Sequence, residues 1–156
     1  MRSYPAGVRA RKLAEEYPVV DLDADAIEAA RLLATHRLPG LVVTDGRTGK
    51  PYTILPASQV VRFLVPAYVQ DDPSLAAVVD EPLADQVARK LTGHRVRSML
   101  PSTPKELPVV DADDTILEVA AIMARLRCPL VAVAEGNAVL GVITAARLLE
   151  HALASA

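Results

Sequence analysis

The chain repeats itself. Residues 18–46 read PVVDLDADAIEAARLLATHRLPGLVVTDG and residues 108–136 read PVVDADDTILEVAAIMARLRCPLVAVAEG, a gapless offset of 90 with 12 identities in 29 positions. The matches include Pro18/Pro108, Val19/Val109, Asp21/Asp111, Glu28/Glu118, Arg37/Arg127, Pro39/Pro129 and Gly46/Gly136. Self-similarity at one fixed offset marks a duplicated supersecondary unit, so the fold must be built from two copies of one pattern.

Each copy has the same anatomy. Val19-Val20 and Val109-Val110 read as short strands before acidic residues. Asp23 and Asp113 are placed to cap a helix, since a carboxylate accepts the free N–H groups of a first turn. Behind them Ile27, Ala30, Leu33 and Ala34, and Leu117, Ala120, Ala121 and Ala124, fall at helical spacing. Pro39 and Pro129 stop those helices by steering the preceding residue toward extended backbone. Apolar strands follow at 41–43 and 130–133, then turns at Asp45-Gly46 and Glu135-Gly136-Asn137, then strands at 52–55 and 139–143. A last helix is expected over 57–69 and over 145–153, so the order is β-α-β-β-α.

Between the copies, Asp72-Pro73-Ser74 and Glu81-Pro82 read as helix starts, with proline in the first turn. Two linking helices are expected at 75–79 and 83–91, the second stopped by Gly93. Val96-Arg97-Ser98-Met99 echoes Ala10-Arg11-Lys12-Leu13, giving each copy a short helical entry segment. The division by repeat is 1–70, a helical linker at 71–92, and 93–156.

Composition narrows the function. With 26 Ala, 20 Leu and 20 Val but one Phe and no Trp, the core is aliphatic and few rings remain for base stacking. The balance of 17 Lys+Arg against 19 Asp+Glu leaves no basic footprint for nucleic acid. No apolar run approaches the roughly 20 residues of a membrane helix. The first residues lack the apolar core of a signal peptide, and the single Cys128 has no disulfide partner within the chain, so a cytoplasmic protein is expected.

Three suggestive patterns reduce to local structure. Asp21-Leu22-Asp23-Ala24-Asp25 begins like a calcium loop but has Ala26 where glycine is needed and Leu32 where the bidentate Glu belongs. Gly46-Arg47-Thr48-Gly49-Lys50 lacks the order of a phosphate loop and lies at a hairpin tip. His36, His94 and His151 lie far apart without acidic or Cys partners at ligand spacing. No nucleophile–base pair points to catalysis, so an enzyme is not expected and no cofactor is required.

The pattern resembles the CBS domain, named after cystathionine beta-synthase, as the tandem pair often called a Bateman module. Arg95-Val96-Arg97-Ser98-Met99 is similar to the family's entry segment and Leu107-Pro108-Val109-Val110 to its first strand. Residues 113–123 resemble its first helix, and Pro129-Leu130-Val131-Ala132-Val133 with Gly141-Val142-Ile143-Thr144 its paired strands and last helix start. The resemblance implies an α/β (α+β) fold: two pseudo-symmetric motifs of β-α-β-β-α type packed through their sheets, with extra linking helices. It also implies homodimers, and clefts between the copies that take adenosine-containing ligands such as AMP, ADP, ATP or S-adenosylmethionine.

The family's ligand motif is Gly-hydrophobic-hydrophobic-Thr/Ser-x-x-Asp, with the hydroxyl near phosphate and the carboxylate on the ribose diol. Copy two reads Gly141-Val142-Ile143-Thr144-Ala145-Ala146-Arg147, with Arg147 in place of Asp. Copy one reads Thr53-Ile54-Leu55-Pro56-Ala57-Ser58-Gln59, with Pro56 for the hydroxyl residue and Gln59 for Asp. Guanidinium only donates, so Arg147 cannot accept the two hydroxyl protons of a diol. Two readings of Thr144 and Arg147 stay open: an anion seat at a helix start, or a cap beside a surface charge. The resemblance places Val19, Val20, Leu38, Val109, Val110 and Ile143 as apolar walls, with backbone groups near Pro39 and Pro129 reading the base.

Two functions follow. The first is a stand-alone regulatory module that senses an adenosine-containing ligand and signals to a separate effector, a transporter or an enzyme. The second is a structural dimerisation or docking module whose nucleotide sites have degenerated. Tyr17 and Tyr52 lie near the copy-one cleft, with their part in binding open.

Overall fold

A computed structural model describes residues 7–78 and 82–156. The first residues, the end of the helix expected at 75–79, and Glu81 of the expected turn lie outside them. In chain order the elements are α1 (Ala10–Leu13), β1 (Val19–Asp21), α2 (Ala26–His36), β2 (Gly40–Asp45), β3 (Lys50–Pro56), α3 (Ala57–Leu64) and α4 (Ala67–Asp71). After a 3-10 turn (Pro73–Ala77) come α5 (Leu83–Leu91), α6 (Val96–Met99), β4 (Val109–Asp111), α7 (Ile116–Leu126), β5 (Leu130–Glu135), β6 (Ala138–Thr144) and α8 (Ala145–Ala154). Contacts divide the chain into two units, Pro18–Glu106 and the combination of Met1–Tyr17 with Leu107–Ala156.

The unit Pro18–Glu106 holds a three-stranded sheet in the order β1-β2-β3. β2 is parallel to β1, with Val20 opposite Val43, and antiparallel to β3, with Gly40 opposite Pro56. Its Gly40-Leu41-Val42-Val43 run is wholly buried, as a central strand requires of a continuous apolar stretch. Leu41, Val43 and Leu55 pack with Ala26, Ala29 and Leu33 of α2 and with Leu64, Leu91, Val96 and Met99. Ala26 and Ala29 are fully buried, so small side chains let helix and sheet approach closely.

The second unit repeats this register by register. Its sheet runs β4-β5-β6, with Val110 opposite Val133 and Leu130 opposite Thr144. The irregularity at Val43/Thr44 recurs at Val133/Ala134. Val110, Val119, Met123, Val131, Val133 and Ile143 form the core. The β5–β6 turn needs only Gly136, at φ 61, and Asn137. The β2–β3 turn is longer and closes with Thr48 and Gly49 N–H groups donating to the Asp45 carbonyl. The Gly46–Lys50 stretch is thus a hairpin tip, as expected.

The entry segments follow contacts and not chain order. α6 precedes the second repeat yet packs on the first: Val96 N–H donates to the Ala24 carbonyl and Arg97 N–H to the Leu22 carbonyl, both at 2.9 Å. α1 precedes the first repeat yet packs on the second, with Ala10 N–H donating to Asp114 and Arg11 N–H to Ala112, again at 2.9 Å. Val96, Met99, Ala10 and Leu13 are the buried anchors.

Three expectations need correction. Asp23 and Asp113 are not the helix caps. Asp25 accepts the Ile27 N–H at the start of α2, and Thr115 accepts the Glu118 N–H at the start of α7. Asp23 and Asp113 instead face the entry segments, where Arg97 lies 3.2 Å from Asp23 and Arg11 lies 2.9 Å from Asp113. Arg11 also reaches Glu135 at 2.9 Å, and its bonds to Asp113 and then Glu135 raise its pKa above the usual guanidinium value.

The helix expected over 57–69 is two, α3 and α4. Pro66 lacks an N–H and pushes Val65 into extended backbone at ψ 127. The Gln70 side chain donates to the Arg62 and Val65 carbonyls, satisfying acceptors that the break leaves open. The first linking helix is a 3-10 turn, capped by Asp72 and started by Pro73; the second, α5, is a helix as expected.

Candidate functional site

In the unit carrying the second repeat, Thr144 ends β6 and caps α8, its Oγ1 accepting the Arg147 N–H at 3.1 Å. The Pro129 carbonyl accepts the Ala145 N–H at 2.9 Å, pinning the start of α8 to the start of β5. Pro129, Thr144 and Arg147 therefore share one corner of the sheet. Val109 stands on β4, opposite Ala132 and half exposed at 50%. Ile143 is wholly enclosed in the core and presents no open surface.

Arg147 is already engaged. Its Nη1 donates to Glu150 at 3.2 Å. Its buried Nε lies 3.2 Å from Glu15 Oε1, within ion-pair range but not aligned as a hydrogen bond. Glu15 is held there by its backbone: its N–H donates to the Val142 carbonyl and the Val142 N–H donates back, both at 2.9 Å. This close passage needs glycine at 141, where a Cβ would stand 2.5 Å from the Glu15 carbonyl oxygen.

In the unit Pro18–Glu106 the same corner is built differently. Pro56 occupies the register position of Thr144 and starts α3 with no side-chain cap. The Pro39 carbonyl accepts the Ala57 N–H at 2.9 Å, matching Pro129. Gln59 is half-buried and donates through Nε2 to the Met99 carbonyl at 3.0 Å. Thr53 is buried and donates to the Lys105 carbonyl, while pairing with Glu106. Val19 is 48% exposed, as its counterpart Val109 is. Tyr52 lines an open cavity of about 290 Å³ with Leu22, Arg97, Leu100, Pro101, Ser102 and Pro104.

Both residues at the family's carboxylate position thus hold an entry segment, Arg147 through Glu15 and Gln59 through Met99. Sequence reasoning missed Glu15. The available signal was length: Leu13 and Pro18 are five positions apart, whereas Met99 and Pro108 are nine. It also passed over Arg37 and Arg127, identical between the repeats, which end α2 and α7 in the left-handed region at φ 51 and 53. Both side chains are exposed, and neither makes an ion pair among the described residues.

Other candidates stay local. His36 and His94 are exposed, and His94 meets Phe63 edge-on at 6.3 Å. Cys128 is half-buried, its Sγ 3.6 Å from the Leu126 carbonyl. Among the described residues no group of three or more His, Cys, Asp or Glu could hold a metal ion, and no helix is long and apolar enough to cross a membrane.

Two β-α-β-β-α units, each a three-stranded sheet with an entry segment drawn from elsewhere in the chain, define the class. The family model for the CBS domain matches residues 96–154. The crystal structure of a CBS domain-containing protein of unknown function from Kribbella flavida DSM 17836 is 64% identical, with a TM-score of 0.87 over 94% of this chain and 99% of that one. The chain belongs to the CBS domain family. CBSX2 in complex with AMP shares the fold at 14% identity and a TM-score of 0.66, over 96% of this chain and 98% of that one. The CBS domain of a bacterial CNNM/CorC family Mg2+ transporter in complex with ATP shares it at 13% and 0.64, over 93% and 87%. No curated protein matches the chain in sequence.

Proposed function

We propose that the protein is a stand-alone regulatory CBS pair that senses an adenosine-containing ligand of the AMP, ADP, ATP or S-adenosylmethionine class and signals to a separate effector. The observation that carries this reading is Thr144, a hydroxyl at the first turn of a ten-residue helix, with a guanidinium one turn on. The Thr144 oxygen accepts from Arg147 N–H, which leaves its own O–H to donate to a ligand. Arg37 and Arg127, exposed and without an ion pair among the described residues, stand two positions before Pro39 and Pro129 and add positive charge that favours a phosphate-bearing ligand. Two solved relatives of the fold hold AMP and ATP, which supports the ligand class. The effector would be a transporter or an enzyme, the module itself a homodimer without catalytic chemistry.

The mechanism is differential affinity: a ligand shifts the module only as far as it binds one arrangement better than another. A second reading, a docking module with degenerate sites, is favoured in copy one by Pro56 and by the Gln59 bond to Met99.

Thermal-shift and calorimetric titrations with adenosine, AMP, ADP, ATP and S-adenosylmethionine separate the two. A ligand at 100 times its Kd raises stability by about 2.7 kcal/mol. No shift with any of them at millimolar concentration would leave only the docking reading. Light scattering at micromolar concentration should give the mass of a dimer, and a monomer mass would remove that part of the proposal.

A further inference from the structure

Glu15 reaches Arg147 by a route that no short-range pairing explains. It lies in the segment after α1, 132 positions before its partner, and its backbone is fastened to Val142 by two hydrogen bonds. The fit depends on Gly141, since any Cβ there would collide with the Glu15 carbonyl. The strap thus lies against the Gly141-Val142-Ile143-Thr144 stretch that opens α8.

The other unit shows that the entry segment does not need this charge. There the equivalent helix position, Gln59, holds α6 through a neutral bond to the Met99 carbonyl. Glu106, at the end of that entry segment, pairs by backbone with Thr53. One unit fastens its entry segment with an amide, the other adds an ion pair that a competing anion can exchange. Glu15 is about half exposed and Arg147 about one-third, so the pair is weak enough to open, although the Nε that faces Glu15 is itself covered until Glu15 moves.

We infer that Glu15 is an intramolecular competitor for the Arg147 guanidinium, a carboxylate that a phosphate-bearing ligand must displace to use this corner. The inference rests on the proposed ligand class and adds its regulation. With Glu15 in place, Arg147 has carboxylates on two sides, Glu15 and Glu150, and a phosphate approaching Thr144 meets them. When a phosphate takes the guanidinium, the Glu15 side chain is freed while its two backbone bonds to Val142 remain. Occupancy of the corner is thereby linked to the hold on the α1 segment.

Calorimetric titration of the wild type, Glu15→Gln and Glu16→Gln with ATP and with adenosine tests this. Glu15→Gln removes the competing charge but leaves the backbone bridge, so ATP should bind about fivefold tighter, the ratio expected of a partly exposed ion pair. Adenosine affinity should not change, and Glu16→Gln, one residue along and exposed, should leave both affinities within twofold. Equal ATP affinity in wild type and Glu15→Gln, or an equal gain for adenosine, overturns the competition while leaving the proposed ligand class standing. Absence of binding in all three proteins overturns the ligand class and the competition together.

Discussion

The two units share sheet order, strand register, the same irregularity in the central strand and the same left-handed arginine at the end of the first helix. They differ where an entry segment meets the last helix. One meeting is short and charged, with Glu15 strapped over Gly141 and paired with Arg147. The other is longer and neutral, with Gln59 holding Met99 and Thr53 holding Lys105, and it leaves an open cavity beside Tyr52. A duplicated core keeps its packing because every buried aliphatic is tied to its neighbours. Divergence collects where a segment arrives from a distant part of the chain.

That contrast can be attacked in order of effect. The anchors come first. Leu13→Ala and Met99→Ala each empty a buried position in equivalent entry helices, so each should cost about 2–5 kcal/mol in urea unfolding. A large loss for one and none for the other would mean that the units do not use their entry segments alike. Next is Gly141→Ala, which forces a methyl against the Glu15 backbone and should cost about 1–3 kcal/mol.

Smaller effects follow from the polar staples. Thr53→Val and Gln59→Ala each remove one bond from the neutral meeting, at about 1 kcal/mol apiece by the same unfolding measurement. Glu15→Gln, which removes only a partly exposed ion pair, should cost less than about 1 kcal/mol. If Glu15→Gln proved more damaging than Gln59→Ala, the charged strap would be a structural necessity and not an exchangeable contact.

Much of this was legible in the residues. The repeat, the strands at Val19-Val20 and Val109-Val110 and the α5 linking helix are local patterns, and local patterns set them. The caps were misplaced by two residues because Asp21, Asp23 and Asp25 all suit a first turn. The arginine that claims Asp23 lies 74 positions away, and the one that claims Asp113 lies 102 away. Pro66 inside the run 57–69 carried the helix break openly, and the apolar spacing around it hid the signal.

The candidate site was legible only in part. Thr144 and Arg147 stand at the start of α8 as the motif placed them. Ile143, expected as a wall, is enclosed in the core. The strap left only its short length as a signal, because no residue type in Ala14-Glu15-Glu16-Tyr17 announces that it will lie on β6 and not beside the strand that follows it.

The central claim is that an ion pair, Arg147–Glu15, steadies one entry segment where the other relies on the neutral Gln59–Met99 bond. Native-state hydrogen exchange in Arg147→Met tests it directly. The amides of Glu15 and Val142, which bond to each other's residues, should lose protection, while those of Val96 and Arg97 in the other entry segment keep theirs. Unchanged protection at Glu15 and Val142, or equal loss at Val96 and Arg97, would contradict it.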